Sequence, residues 1–181
     1  FTYDVGAEVA VKNIRGGSGD LVIVGTLKGK YTPAGLDIDA ELKLKSAWTY
    51  TSGDVKAKFK TGKVTLDVKQ SKLKSFTYDV ASDVEISNIT GGSGPLKLKG
   101  TLKGKYSPAG LDIDAKLTFV PDWTYTKDDI AVTLKKGNIT LDVKQSKLKS
   151  FTYDVGAEVA VKNIRGGSGD LVIVGTLKGK Y

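Results

Sequence analysis

Leu36, Ile38, Ala40, Leu42 and Leu44 alternate with Asp37, Asp39, Glu41, Lys43 and Lys45. A two-residue period of this kind puts the apolar side chains on one side of an extended strand and the charges on the other. The same alternation runs through Phe1, Tyr3, Val5, Ala7, Val9 and Val11. It returns in Leu21, Ile23, Gly25, Leu27, Gly29 and Tyr31, with Lys28 and Lys30 facing away. Val55, Ala57 and Phe59, followed by Val64, Leu66 and Val68, predict a hairpin that turns at Thr61-Gly62. No ten-residue stretch carries a helical period, so the expected fold class is all-β.

The connections have turn chemistry. Gly16-Gly17-Ser18-Gly19-Asp20 supplies residues that reach positive φ without strain. Thr32-Pro33-Ala34-Gly35 combines a proline with a following glycine, and the pattern returns at Ser107–Gly110. Lys69-Gln70-Ser71-Lys72-Leu73-Lys74-Ser75 is different, because it holds neither Gly nor Pro. It is expected to be a strand running straight on, joining the residues on its two sides into one sheet or core.

These patterns are periodic on a larger scale. Phe-Thr-Tyr-Asp-Val occurs at residues 1, 76 and 151, a spacing of 75. Residues 1–75 align with 76–150 without a gap and agree at 47 positions, and 151–181 reproduce 1–31 without a change. The expected organisation is a tandem array: a first unit at 1–75, a second at 76–150 and a partial third at 151–181. Each unit reads as about five antiparallel strands, and the units share a continuous sheet or a sandwich core. The expected buried set is Phe1, Tyr3, Val5, Leu36, Ile38, Trp48, Val64 and Leu66, with their equivalents 75 residues on.

Composition narrows the chemistry. The 181 residues include no Cys, no His and no Met. Without Cys there is no disulfide framework, thiol nucleophile or thiolate metal site; without His there is no Ser-His-Asp triad or imidazole ligand. No apolar run approaches the roughly 18 residues of a membrane helix. A chain that opens on Phe1 and lacks Met reads as a processed, excised or engineered stretch, and a designed repeat scaffold is one origin. The net charge of +8 comes from 28 basic residues, of which only Arg15 and Arg165 are arginine, against 20 acidic ones. Nucleic-acid surfaces favour arginine and stacking aromatics, so no nucleic-acid partner is expected. Lysine at strand spacing reads as a solvated sheet face and as protection of sheet edges, with anionic surface polymers or lipid headgroups as a further partner for Lys69–Lys74.

Candidate chemistry is sparse. Asp37 and Asp39, repeated as Asp112 and Asp114, share a strand face but lack the oxygen-rich loop that calcium requires. Ser71-Lys72-Leu73-Lys74 matches an S-x-x-K pattern without its helix or partner motifs. No catalytic, cofactor or metal residues are therefore assigned, and the chain is expected not to be an enzyme. Asn88-Ile89-Thr90 and Asn138-Ile139-Thr140 match the glycosylation acceptor triplet. The recurring aromatics are more distinctive. Trp48 and Tyr50, Trp123 and Tyr125, and Tyr31, Tyr106 and Tyr181 either plug the ends of the β-core or form a contact surface for sugar, lipid or a neighbouring chain.

Three functions fit these observations. The first is a non-catalytic structural or assembly module of an extracellular or cell-surface stalk, adhesin or filament, whose partner is itself. The second is an open apolar groove that binds lipid or another hydrophobic ligand. The sequence texture of Gly-Thr-Leu-Lys-Gly-Lys-Tyr and Pro-Ala-Gly-Leu-Asp-Ile-Asp-Ala-Lys-Leu resembles that of extended β-groove lipid carriers, and it implies an apolar face left uncovered. The third is a membrane β-barrel of about twelve strands.

Overall fold

The computed structural model describes all 181 residues and contains twelve strands. They are β1 (Thr2–Val11), β2 (Leu21–Thr32), β3 (Gly35–Leu44), β4 (Trp48–Ser52), β5 (Val55–Lys69), β6 (Lys72–Ile86), β7 (Leu96–Ser107), β8 (Gly110–Phe119), β9 (Trp123–Lys127), β10 (Ile130–Lys144), β11 (Lys147–Val161) and β12 (Leu171–Lys180). All belong to one antiparallel sheet in the order β1-β2-β3-β5-β6-β7-β8-β10-β11-β12. The short strands β4 and β9 lie beside β5 and β10, on the same side as β3 and β8. All-β architecture, antiparallel pairing and a continuous sheet are thus as the alternation implied.

The sandwich alternative is not. There is one layer, and only Leu98, Gly137 and Gly156 are buried. The expected buried set accordingly stands half-exposed or open: Phe1 is 87% exposed and Val5 51%. A period of two specifies that a strand has an apolar side; it does not specify a second layer to cover that side. The sheet is also not closed into a barrel, since β1 and β12 are its two edges and do not pair.

Two local expectations are corrected. The segment read as a hairpin at Thr61-Gly62 is one strand, β5, which pairs with β6 along its length. Lys60 is an extra residue there, between the pairs Phe59–Ser82 and Thr61–Ala81. Such a bulge resets the alternation, so Phe59 and Val64 share a face although their numbers differ in parity. Conversely, the stretch read as a straight joint is a tight hairpin. Gln70 and Ser71 adopt φ of 50° and 58°, and Gln145 and Ser146 adopt 49° and 60°. Two consecutive left-handed residues give the turn whose twist matches paired strands, here made without glycine. Backbone contacts offset the strain. The Gln70 amide donates to Asp37 Oδ1 at 2.7 Å, and the Leu36 amide donates to Ser71 Oγ at 3.1 Å.

The glycine-rich loops do more than turn. The loop before β2 folds onto the outer edge of β4. The Ser18 amide donates to the Thr49 carbonyl at 2.8 Å, and the Thr51 amide to the Gly16 carbonyl at 2.7 Å. Gly91-Gly92-Ser93 repeats this on β9. A Cβ on Gly16 would collide with the Thr51 carbonyl, so the close backbone approach itself requires glycine. With almost no interior, cohesion rests on the ladder: 109 of 126 backbone hydrogen bonds lie within the strands. Half-buried cross-strand pairs add to it.

Candidate functional site: an uncovered apolar face

The pairing registers place the apolar positions of every strand on one side of the sheet. One row runs from Val5 through Leu27, Ala40, Leu66 and Phe76 to Tyr106, each opposite the next. A second joins Leu102, Ala115, Leu141 and Phe151. The other side is mainly polar, with Val22 and Val24 of β2 and Val172 and Val174 of β12 as apolar exceptions. Asp4 pairs with Lys28 at 3.2 Å, Asp39 with Lys69 at 2.9 Å and Asp79 with Lys103 at 3.0 Å. Solvent screening leaves each of these surface pairs little individual weight, but their opposite-charge alignment favours the observed register.

The apolar side is sculpted into two troughs. The first, of about 330 Å³, is lined by Leu21, Ile23, Leu42, Leu44, Trp48 and Phe59 among others. The second, of about 320 Å³, is lined by Phe59, Val80, Leu102, Leu117, Ile139 and Leu141 among others. Phe59 and Val80 line both, so the two lie end to end across the sheet. Volumes of this size match small-molecule sites, and aliphatic walls suit hydrocarbon. Glycines help to shape the surface. The ring of Tyr3 lies over Gly29, Tyr78 over Gly104 and Tyr153 over Gly179, each where a side chain would otherwise stand.

The aromatics fall into two groups. Trp48 stacks on Tyr50 with ring centroids 6.2 Å apart and on Phe59 at 6.0 Å, and its indole N–H donates to the Gly19 carbonyl at 3.2 Å. Trp123 stacks on Tyr125 at 6.5 Å and donates to the Gly94 carbonyl at 2.9 Å. Tyr31, Tyr106 and Tyr181 stand at the opposite end of the strands. Tyr106 is paired with Phe76, and the Tyr31 and Tyr181 amides donate to the Phe1 and Phe151 carbonyls. They plug no core: Tyr31 is 61% exposed and Tyr181 82%. Sequence alternation does not single out Phe59, which lines both troughs, because the Lys60 bulge hides its continuity with Val64. The run Val55, Ala57, Phe59 was the available signal.

The other candidates resolve as sheet features. Ser71 is a turn residue that accepts from the Leu36 amide. Asp37 accepts from the Gln70 amide and Asp39 from Lys69. No three His, Cys, Asp or Glu residues converge in a group able to hold a metal ion. Asn88 lies in a loop with its Nδ2 donating to Asp54, whereas Asn138 is half-buried within β10 and accepts from Thr118. The shifted titrations belong to the charge ladder. Hydrogen bonds from Lys43 and then Lys63 hold the Glu41 carboxyl below its ordinary value, and one from Lys136 does the same for Asp154. Lys69 is raised by its hydrogen bond to Asp39. All three groups stand half-buried on the polar side, and Lys43 and Lys63, the partners of Glu41, also border the first trough.

Comparison with known protein families, curated proteins and solved structures finds no match to this chain.

Proposed function

We propose that this chain is a non-catalytic β-scaffold whose uncovered apolar face takes up a hydrophobic ligand, with lipid acyl chains as the chemical class. The observation that supports it is the contrast between a sheet apolar along its whole width and the absence of anything packed upon it. Monomeric proteins rarely leave contiguous apolar surface of this extent open unless something binds there. The troughs are troughs and not pockets, which suits a long flexible chain lying across strands. The polar side keeps the assembly in water.

The repeat belongs to the same reading. β7, β8, β9 and β10 begin 75 residues after β2, β3, β4 and β5, so a tandem unit that adds five strands at a time would lengthen the trough without altering it. An extracellular or surface-attached array is the setting that this construction favours.

Titration with a fluorescent long-chain fatty acid tests the proposal. The expected result is saturable binding that weakens at least about tenfold in the double variant Leu42→Asp, Leu117→Asp, with the strand signal in circular dichroism unchanged. Leu42 and Leu117 each line one trough. Equal binding by the variant, or none by the parent chain, would overturn it.

A further inference from the structure

On the polar side, two lysine pairs face each other across one strand in the interior of the sheet. Lys56 and Lys58 of β5 stand opposite Glu85 and Asp83 of β6, which in turn stand opposite Lys97 and Lys99 of β7. These four lysines and two carboxylates wall a hollow of about 270 Å³. All four lysines are exposed and none closes an ion pair, while Asp83 is already held by Lys60 at 2.6 Å. Their outer cross-strand neighbours are neutral: Thr51 and Thr49 of β4 beside Lys56 and Lys58, and Thr118 of β8 beside Lys99.

The sheet does not need these lysines. One repeat away, the same places in the ladder are filled by Ala131 and Thr133 of β10 and by Val22 and Val24 of β2. Those residues pair with β11 and β1 as the lysines pair with β6. The lysines guard no sheet edge either, because β5 and β7 are hydrogen-bonded on both sides. Nor do they balance extra acid. Asp83 has carboxylate counterparts in Glu8 and Glu158, so only Glu85, which stands where the other repeats have Ala10 and Ala160, accompanies the four bases. The surplus of positive charge belongs to this stretch alone, and in an exposed hollow it attracts an anion.

The row continues along β7. Lys103 and Lys105 follow Lys97 and Lys99 with Thr101 between the pairs, so the row steps about 7 Å at a time and runs about 27 Å. Its equivalent on β2 has lysine only at Lys28 and Lys30. Lys103 is shared with Asp79 at 3.0 Å and faces Asp114, so the Lys97 end holds the freer charge. A straight row of this kind fits a linear ligand whose own charges repeat. Ammonium groups serve phosphate as point charges, whereas planar carboxylates favour the arginine fork, which these strands lack. The rings of Phe59, Phe76, Tyr78 and Tyr106 belong to the apolar side, so a nucleobase or a sugar ring has nothing to stack on here.

We propose that the polar side binds a linear polyphosphate, a chain of phosphate groups joined by short links, laid along β7 and held most strongly between Lys56, Lys58, Lys97 and Lys99. The contact lies on the side opposite the troughs and does not depend on what occupies the apolar face.

Titration with end-labelled long-chain inorganic polyphosphate tests it, read by fluorescence polarisation at several salt concentrations. Saturable binding that weakens steeply with salt is expected. Lys97→Val, Lys99→Val copies β2, and Lys56→Ala, Lys58→Thr copies β10, so each exchange uses residues that the same sheet already accepts. Each double variant is expected to weaken binding at least about tenfold and to make the salt dependence shallower. Lys147→Ala, Lys149→Ala removes the same charge from β11, away from the hollow, and should change affinity by less than about twofold. Circular dichroism of each variant checks that the sheet remains folded. No binding by the parent chain, or undiminished binding by the hollow variants, would overturn the proposal. So would an equal loss in the Lys147, Lys149 variant, because net charge alone would then be responsible. Tighter binding of single-stranded DNA or heparin of matched charge would overturn the choice of a phosphate chain, since bases or sugar rings would then carry the recognition.

Discussion

The ring of Tyr78 on β6 occupies the space that a side chain on Gly104 of β7 would need. The two residues are direct cross-strand partners, so the tyrosine covers two positions of the apolar side at once. A Cβ on Gly104 would also meet the Asp112 carbonyl oxygen at 2.7 Å. Gly104→Val is therefore expected to cost about 1–3 kcal/mol, as overpacking does elsewhere, measured by urea unfolding. Tyr78→Ala in the same background should recover part of that loss. A Gly104→Val chain as stable as the parent would show that the ring does not pack in this way.

Burial predicts a steep contrast between aliphatic truncations. Leu98, with 7% of its surface exposed, is the one large side chain that is buried, whereas Val5 on the edge strand is 51% exposed. Leu98→Ala should cost about 2–3 kcal/mol, and Val5→Ala no more than about 0.5. Comparable losses in urea midpoint for the two would mean that the apolar side is covered in solution.

The hairpin turns leave room for improvement. Gln70 and Gln145 hold left-handed backbone that asparagine adopts more readily, and each uses only its backbone N–H in the turn's contact with an aspartate. Gln70→Asn and Gln145→Asn are expected to add about 0.5 kcal/mol each, and the effects should sum, because the turns belong to separate hairpins. A thermal midpoint that does not rise in the double variant would contradict this.

Stability should depend on pH at both ends of the range. The Glu41 and Asp154 carboxyls titrate below their unfolded values, so their contribution is present above the unfolded pKa and is lost as pH falls through the folded one. Lys69 is shifted upward, so its contribution is present below the unfolded pKa and is lost as pH rises through the raised value. A plateau across neutral pH is expected, with falling limbs on either side. Glu41→Gln should flatten the acidic limb in a series of urea midpoints; an unaltered limb would mean that Glu41 adds nothing to it.

Strand faces were legible in the sequence because they depend on a local period. The count of five strands per unit agrees only because β4, which the alternation does not mark, offsets the two-strand hairpin that is the single strand β5. Leu36 through Leu44 needed no tertiary information to be read as one strand with one apolar side. Layering was not legible, because the apolar side of Leu42 looks the same whether a second sheet or solvent lies above it. The Lys60 bulge and the Gln70-Ser71 turn escape the local pattern for a related reason. Glycine is the usual mark of a turn, so Gly62 suggests one where β5 runs straight on, while two ordinary residues, Gln70 and Ser71, make the real one. The aromatic pairs at Trp48 and Trp123 were visible as recurrences. Their partners, the carbonyls of Gly19 and Gly94, depend on a loop folding back over β4 and β9, which no local pattern encodes.

The substantial contacts of each strand are with the strands hydrogen-bonded to it. A globular domain is held by a centre that all of its parts share; here the middle strands and the margins never meet. Loss of structure should therefore begin as a zip opening at β1 and β12 and travel inward, with amide hydrogens of β6 and β7 the last to exchange. Cooperativity in such a molecule extends only as far as neighbouring strands can pass it along.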